Sequence, residues 1–250
     1  MPERIIVAGI YRSGTSLNTE LVRRWGAYAG REEDIFQDEY GYLEHLALQK
    51  LNNNSRIPTP VDELLEKAQD PALRERALKI LGGMDREAEQ NGAIAWVWKD
   101  PRLPLALPFW ADVWGDVIYV IPIRHPIETI HSGAKMEGLE ADQVPLSAGF
   151  SYWQFCMLNL LRFTQNSKRK IFIAYDQLIE KPEQECARLC RFLDEQCGVT
   201  NCTAERVQQM TGQITAGGRH FQQSQSLADV ETCTREQRAL YNFLRVKTIH

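Results

Sequence analysis

Two short stretches of the sequence are rich in side chains that donate hydrogen bonds to anionic oxygens. The first stretch supplies a guanidinium and three hydroxyl groups within five residues (YRSGTSL), and the second supplies a guanidinium and a hydroxyl eight residues apart (RHPIETIHS). Side chains of this kind are typical of phosphate and sulfate sites. We therefore predict two anion sites, formed by Arg12, Ser13, Thr15 and Ser16 in the first stretch and by Arg124 and Ser132 in the second.

The first anion site lies between a predicted strand and a predicted helix. Residues 5–7 are a β-branched run typical of a strand buried on both faces, Gly9 ends that strand, and Leu17 begins the apolar side of an amphipathic helix. The N–H groups at a helix N-terminus lie at the positive end of the helix dipole, so a strand, a glycine turn and a helix together bind anions. The backbone of this turn therefore adds Gly14 and Leu17 to the predicted cradle.

The second anion site follows another predicted strand. Residues 117–121 are apolar and mostly β-branched, and Pro126 is well placed as the first residue of the next helix. Arg124 then lies at the carboxyl end of a strand, where open α/β sheets bind their ligands. Ser132 lies about two turns into the following helix, close enough to the entry face to share one anion with Arg124. A phosphate monoester fits this pair.

The spacing of Gly9 and Gly14 invites comparison with the nucleotide P-loop, GxxxxGK[ST]. Thr15 occupies the lysine position of that motif, and the cation has moved to Arg12. The missing lysine weakens the case for a kinase or an ATPase, because that lysine reaches the β- and γ-phosphates. Three alternatives stay open: a P-loop kinase of a small molecule, a non-catalytic nucleotide-binding or scaffold protein, and a turn that uses glycine only to reverse the chain.

With both motifs in view, the chain resembles sulfotransferases that use 3′-phosphoadenosine 5′-phosphosulfate (PAPS). YRSGTSL is similar to the family loop that holds the 5′-phosphosulfate, and RHPIETIHS to the loop whose Arg and Ser hold the 3′-phosphate. WKDPRLPLALPFW and IFIAYDQLIEKP resemble two further family segments, and all four motifs occur in order between residues 4 and 195. The resemblance, nearest to soluble bacterial members, implies an α/β fold in which helices flank a parallel β-sheet, the P-loop nucleotide-binding-like sulfotransferase fold.

The resemblance also assigns roles to individual residues. Lys99 would stabilise the bridging oxygen of PAPS as it leaves, and Arg12 with the loop amides would stabilise the non-bridging oxygens. Tyr175 would lie near the adenine, and Arg219 is the candidate for a basic loop that folds over the 3′-phosphate. The product of PAPS would be 3′-phosphoadenosine 5′-phosphate (PAP). We expect no metal, because Asp100 is the only acid at a predicted strand end and it precedes a proline.

The general base is the role that the resemblance leaves most open. Cytosolic aryl and steroid sulfotransferases use a histidine two residues after the lysine, and here Pro101 stands at that position and cannot accept a proton. An acid should serve instead. Glu44 is the first choice because GYLEH is similar to a segment of bacterial members, Glu33 is the second, and His45 is a weaker third. The acceptor would be a hydroxyl or an amine of a small molecule that the sequence does not identify.

The composition fits one α/β domain over residues 1–250. Hydrophobic residues make up 44% and charged residues 25%, and the net charge of −4 argues against nucleic-acid binding. We predict a helical insertion or cap over 59–91 and a flexible loop over 213–233.

The first strand begins too early for a signal peptide and no apolar run approaches a membrane span, so we expect a cytoplasmic protein without a membrane partner. We also expect its six cysteines to be reduced.

Overall fold

The structure is a computed structural model that describes residues 1–36, 44–52, 63, 66, 69–140, 143–214 and 226–249. Its strands are β1 (Glu3–Val7), β2 (Ile35–Phe36), β3 (Glu44–His45), β4 (Ala95–Lys99), β5 (Ile118–Ile123) and β6 (Lys170–Ala174). Its α-helices are α1 (Thr15–Trp25), α2 (Leu46–Leu51), α3 (Pro71–Gln90), α4 (Leu103–Val113), α5 (Pro126–Met136), α6 (Leu146–Thr164), α7 (Tyr175–Glu180), α8 (Pro182–Cys197), α9 (Ala204–Thr211) and α10 (Arg235–Lys247).

Four parallel strands form the central sheet of the described residues, in the order β4-β1-β5-β6. Val7 at the end of β1 lies opposite Lys99 of β4, and Ile123 at the end of β5 lies opposite Ala174 of β6. The strands β2 and β3 form a separate antiparallel pair. Because the four strands run in one direction, their carboxyl ends meet at one edge of the sheet. The predicted α/β fold with a parallel sheet flanked by helices is confirmed.

The strands fill two cores, one on each face of the sheet. Ile6, Trp96 and Trp98 pack with side chains of α3, α4 and α6 in one core, whereas Ile5 and Val7 pack with side chains of α1 and α8 in the other. Successive side chains of a strand point to opposite faces, so a strand covered on both faces needs apolar residues at nearly every position. The β-branched and aromatic runs of the sequence supply them.

The helix α3 contains most of the insertion predicted over 59–91. It begins after Asp70, whose carboxylate caps it by accepting a hydrogen bond from the N–H of Ala72 at 2.9 Å. Asp85 on the inner side of α3 forms an ion pair with Arg4 of β1 at 2.6 Å. The apolar residues of that side join the core: Ala77, Leu81, Met84 and Ala88. This helix therefore packs against the sheet, and a role as a cap stays a prediction.

The flexible loop predicted over 213–233 is structured at its C-terminal end. Residues 227–229 form a 3-10 turn, and three apolar side chains spaced three residues apart are buried against α5 and α6: Leu227, Val230 and Cys233. Residues 226–233 therefore pack against the domain, and a flexible loop over 213–233 stays a prediction. Residues 215–225, and Arg219 with them, lie outside the described residues.

The helix α6 contributes Trp153 and Leu160 to the core. No helix in the described parts of the chain, α6 included, is long and apolar enough to cross a membrane. The six cysteines are free thiols. Burial raises the pKa of Cys156 to about 12 and of Cys186 to about 11, so these thiols pack as apolar groups and are poor nucleophiles.

Candidate functional site

The carboxyl edge of the sheet collects most of the side chains that the sequence assigned to chemistry. The loop 8–14 leaves β1, Lys99 ends β4, Arg124 directly follows β5, and Tyr175 directly follows β6. All three side chains are buried. Open α/β sheets bind ligands outside the carboxyl ends of their strands, so we place the candidate site at this edge. It has two parts, an anion cluster around the loop and a lysine cluster around Lys99.

The loop between β1 and α1 folds tightly and exposes backbone donors. Gly14 has a φ of 97° and Arg12 a φ of 64°, both in the left-handed region that residues with a side chain rarely adopt. The hydroxyl of Ser13 donates to the carbonyl oxygen of Ile10 at 2.7 Å and closes the turn. No described side chain caps the first turn of α1. The N–H groups of that turn are therefore suited to an anionic ligand, as the sequence predicts.

The aromatic ring of Tyr175 lies against this loop. A methyl group on Gly14 would lie 2.6 Å from the ring carbon Cδ2 of Tyr175, closer than two carbon atoms can approach. The backbone angle and the neighbouring ring therefore both require glycine at this position. The guanidinium carbon of Arg124 lies 4.4 Å from the centre of the same ring, which is a cation–π contact.

The side chain of Arg124 is buried and uses only part of its hydrogen-bonding capacity. Its Nε donates to Oε2 of Glu128 at 3.1 Å, and its Nη1 donates to the carbonyl oxygen of Arg12 at 3.1 Å. Its Nη2 is buried and has no hydrogen-bond partner among the described residues. Leaving a buried donor unsatisfied costs free energy, so such a group is commonly explained by a ligand. An acceptor with anionic oxygens fits it best.

Ser132, predicted to share an anion with Arg124, is contacted by the side chain of Arg12. The Nε of Arg12 donates to Oγ of Ser132 at 3.0 Å. The side chain of Arg12 therefore crosses from the loop to α5, while Arg124 holds the backbone of Arg12. We define the anion cluster as these three residues with Tyr175 and the loop. The two predicted anion sites therefore lie next to each other.

The lysine cluster is a buried network of opposite charges. The Nζ of Lys99 donates to Oε1 of Glu44 at 3.0 Å, and the Nη2 of Arg102 lies 3.5 Å from Oε2 of the same carboxylate. Burial lowers the pKa of Lys99, and the nearby Glu44 partly offsets this effect because it favours the ammonium form. The cluster therefore places an ammonium beside a carboxylate. The ammonium can donate a hydrogen bond to a leaving oxygen, and the carboxylate can accept the proton of an alcohol.

Arg102 is held in place by a second acid. Its Nε and Nη2 donate to the two carboxylate oxygens of Asp100, each at 2.8 Å. Asp100 also accepts from Nδ2 of Asn52 at 2.7 Å, and the indole N–H of Trp110 donates to Oδ1 of Asn52 at 2.6 Å. Asp100 is thus engaged by its neighbours, and the described residues contain no group of three or more His, Cys, Asp or Glu that could bind a metal.

The other candidate bases lie elsewhere. Glu33 is 73% exposed and lies 3.5 Å from Arg31 in an ion pair. His45 follows Glu44 in β3, so its side chain is on the opposite face, where its imidazole lies near Gly30. Burial lowers the pKa of His45. The geometry therefore favours Glu44 as the base, although its role stays a prediction.

Sequence reasoning missed three residues of the site. Arg102 follows Lys99 closely in the KDPR segment, and Glu128 lies one helical turn after Arg124, so both had a local signal. Asn52 had none, because its contact with Asp100 joins residues 48 positions apart.

Comparisons with known proteins identify the family and the fold. A family model described as "Sulfotransferase family" matches residues 2–197. The sulfotransferase domain of the olefin synthase from Synechococcus PCC 7002 is 16% identical, with a TM-score of 0.53 over 98% of this chain and 87% of that one. The sulfotransferase STF9 from Mycobacterium avium is 14% identical, with a TM-score of 0.58 over 98% of this chain and 76% of that one.

A third solved structure, a sulfotransferase from Alicyclobacillus acidocaldarius, is 12% identical, with a TM-score of 0.52 over 99% of this chain and 97% of that one. A search of curated proteins finds no match. At these identities the solved structures show a shared fold, whereas the family model covers most of the chain, including the loop 8–14, Lys99, Arg124 and Tyr175. The chain therefore belongs to the sulfotransferase family.

Proposed function

We propose that this sulfotransferase takes its sulfuryl group from PAPS and transfers it to a hydroxyl or an amine of a small acceptor. One observation carries the proposal: the Nη2 of Arg124 is buried without a hydrogen-bond partner among the described residues, next to the contact between Arg12 and Ser132. Two guanidinium groups and a hydroxyl at one place suit a phosphate monoester. PAPS carries such a group at its 3′ position, in addition to its 5′-phosphosulfate.

The residues present fit this donor. The N–H groups at the start of α1 and the loop 12–17 would hold the 5′-phosphosulfate, because they form the uncapped helix N-terminus. Arg124, Arg12 and Ser132 would hold the 3′-phosphate. Tyr175 lies against both Gly14 and Arg124, so its ring would border the nucleoside between the two anionic groups. Arg219 stays a candidate for the 3′-phosphate.

The lysine cluster supplies the groups for the chemical step. PAPS supplies a sulfuryl group on a phosphate leaving group. Lys99 would donate a hydrogen bond to the oxygen that keeps the electron pair as its bond to sulfur breaks, and the loop amides would stabilise the non-bridging oxygens. Glu44 would accept the proton of the acceptor as the acceptor atom bonds to sulfur. The proton then resides on Glu44 and the negative charge on the phosphate of PAP, so atoms and charges balance.

The test is the thermal stability of the protein with PAP and without magnesium. PAP at about 100 times its dissociation constant should stabilise the folded state by about 2.7 kcal/mol, which raises the Tm of a chain of this length by about 5–10 °C. ATP should raise it far less, because it lacks the 3′-phosphate. Equal stabilisation by ATP, or a strict requirement for magnesium, would contradict the proposal and favour a P-loop kinase.

Several finer expectations belong to the same proposal. The small acceptor remains to be identified by a panel of phenols, sugars, lipids and amines offered with PAPS. A cytoplasmic location, a single domain over 1–250, the lack of a metal and the lack of a nucleic-acid partner stay predictions from the sequence.

A further inference from the structure

We infer that Arg102 is a positioning residue, which keeps the carboxylate of Glu44 oriented when Lys99 engages the leaving oxygen. This inference rests on the proposed function, because it concerns the base of the same reaction. It assigns a role to the KDPR arginine from its contacts in the lysine cluster.

In the proposed reaction Lys99 pairs first with Glu44 and then with the leaving oxygen, so Glu44 needs a second contact. Its ammonium now lies 3.0 Å from Oε1 of Glu44, and both side chains are buried. A move of Lys99 towards the leaving oxygen lengthens that contact. The glutamate side chain has three rotatable bonds and would then lose an anchor at the moment when its oxygen must face the acceptor. Arg102 lies 3.5 Å from the other oxygen, Oε2, and a small rotation shortens this contact to a hydrogen bond.

Arg102 can serve as an anchor because it is itself fixed. Its side chain meets Asp100 through two parallel hydrogen bonds of 2.8 Å, and its backbone N–H donates to the same carboxylate at 2.9 Å. Asn52 donates a hydrogen bond to Asp100, and Trp110 in turn donates one to Asn52. A planar guanidinium can bond Asp100 with one edge and still present Nη2 to Glu44, whereas a lysine ammonium cannot reproduce this fork.

The charges lead to the same assignment. Lys99, Arg102, Glu44 and Asp100 carry two positive and two negative formal charges in a buried place. Buried charges are tolerated when each is paired. When the charge of Lys99 is shared with the leaving oxygen, Arg102 still offers Glu44 a positive charge at 3.5 Å.

The first test is Arg102→Lys, which keeps the charge and loses the fork. PAP release from PAPS is measured with an acceptor from the panel and with water as the acceptor. We expect kcat to fall about 10- to 100-fold, as for a misplaced reacting group, with the KM for PAPS changed less than about two-fold. The matched control is Arg74→Lys, because Arg74 also pairs with an aspartate, Asp112, but on the surface. Its kinetics should match the wild type.

A double-mutant cycle separates positioning from simple destabilisation. If Arg102 acts through Glu44, adding Arg102→Lys to Glu44→Gln should lower kcat little further. An effect of Arg102→Lys that is undiminished in the Glu44→Gln background would overturn the inference, as would a kcat equal to that of the wild type.

A second measurement needs no turnover. Crystal structures of the wild type and of Arg102→Lys, each with PAP, give the position of the Glu44 carboxylate. We expect the wild type to keep Glu44 within hydrogen-bond distance of Arg102 and the variant to show it displaced or in several rotamers. An unchanged carboxylate in the variant would overturn the inference. Failure of PAP to bind the wild type would instead contradict the proposed function and the inference with it, so the two failures are distinguishable.

Discussion

Arg124 is both a proposed ligand for the 3′-phosphate and one half of a buried ion pair, so its replacement should have two separable effects. Glu128 is only 2% exposed, and Arg124→Met would leave its carboxylate buried without the arginine. Breaking such a pair from one side costs about 3–5 kcal/mol. For a chain of this length that corresponds to a fall in Tm of about 6–20 °C. Replacing the whole pair by apolar residues is often neutral, so Arg124→Met with Glu128→Leu should recover most of the stability.

The effect on the ligand should not recover. Loss of the guanidinium–phosphate contact is worth about 1.5–3 kcal/mol, which raises the Kd of PAP about 10- to 150-fold in the single and the double variant alike. Adenosine 5′-phosphosulfate lacks the 3′-phosphate, so the double variant should bind it with nearly the affinity of the wild type. Isothermal titration calorimetry on the double variant measures both ligands without interference from unfolding.

Two results would refute this reasoning. A double variant that binds PAP as tightly as the wild type would show that Arg124 serves only the fold. Equal weakening of both ligands would place Arg124 at another part of the nucleotide. A matched control is the pair of Arg188 and Glu185 on α8, 2.8 Å apart, whose replacement by Met and Leu should leave the affinity for PAP unchanged.

Two further predictions concern β3 and its surroundings. Glu44→Gln keeps the shape of the side chain and removes its basicity, so turnover should fall about 10²- to 10⁴-fold while PAP binding persists. The control Glu33→Gln changes an exposed residue and should leave turnover nearly unchanged. The reverse pattern in steady-state kinetics would assign the role of base to Glu33. Burial lowers the pKa of His45, so the unfolded chain, with a pKa of about 6.5 at this residue, takes up a proton first as the pH falls. The Tm should therefore fall between about pH 7 and pH 5 more steeply in the wild type than in His45→Gln, and equal slopes in a calorimetric pH series would contradict this account.

Local patterns were sufficient to predict the sheet and the edge that carries the site. The β-branched and aromatic runs within β1, β4 and β5 are short and are followed by glycine, lysine or arginine, a pattern typical of strands buried on both faces. Since parallel strands share one carboxyl edge, the residues after those runs had to come close together. That reasoning placed the loop after β1 and Arg124 at one edge without any distance information, whereas Tyr175 came from the resemblance to the family.

Side-chain directions could not be predicted, because they depend on contacts that are distant in the sequence. Glu44 meets Lys99 across 55 residues, and the facing of β3 against the core decides that Glu44, and not His45, turns towards the lysine. Arg12 likewise has a left-handed backbone, and its guanidinium forms a hydrogen bond with Ser132, which is 120 residues away in the sequence. No periodicity in the sequence encodes either event. Each is set by the way in which separate elements pack.

The ion pair between Lys99 and Glu44 explains how a buried lysine and the proposed base can share one site. A lone buried ammonium or carboxylate is costly, and each of these groups neutralises the other while their distance is 3.0 Å. On the proposed function, the anionic donor offers Lys99 a second acceptor at the oxygen that will leave. The attraction between Lys99 and Glu44 then weakens as the sulfuryl group begins to transfer, and the carboxylate can accept the proton that the acceptor must lose. Arg102, fixed by Asp100, keeps that carboxylate in place while Lys99 turns to the leaving oxygen.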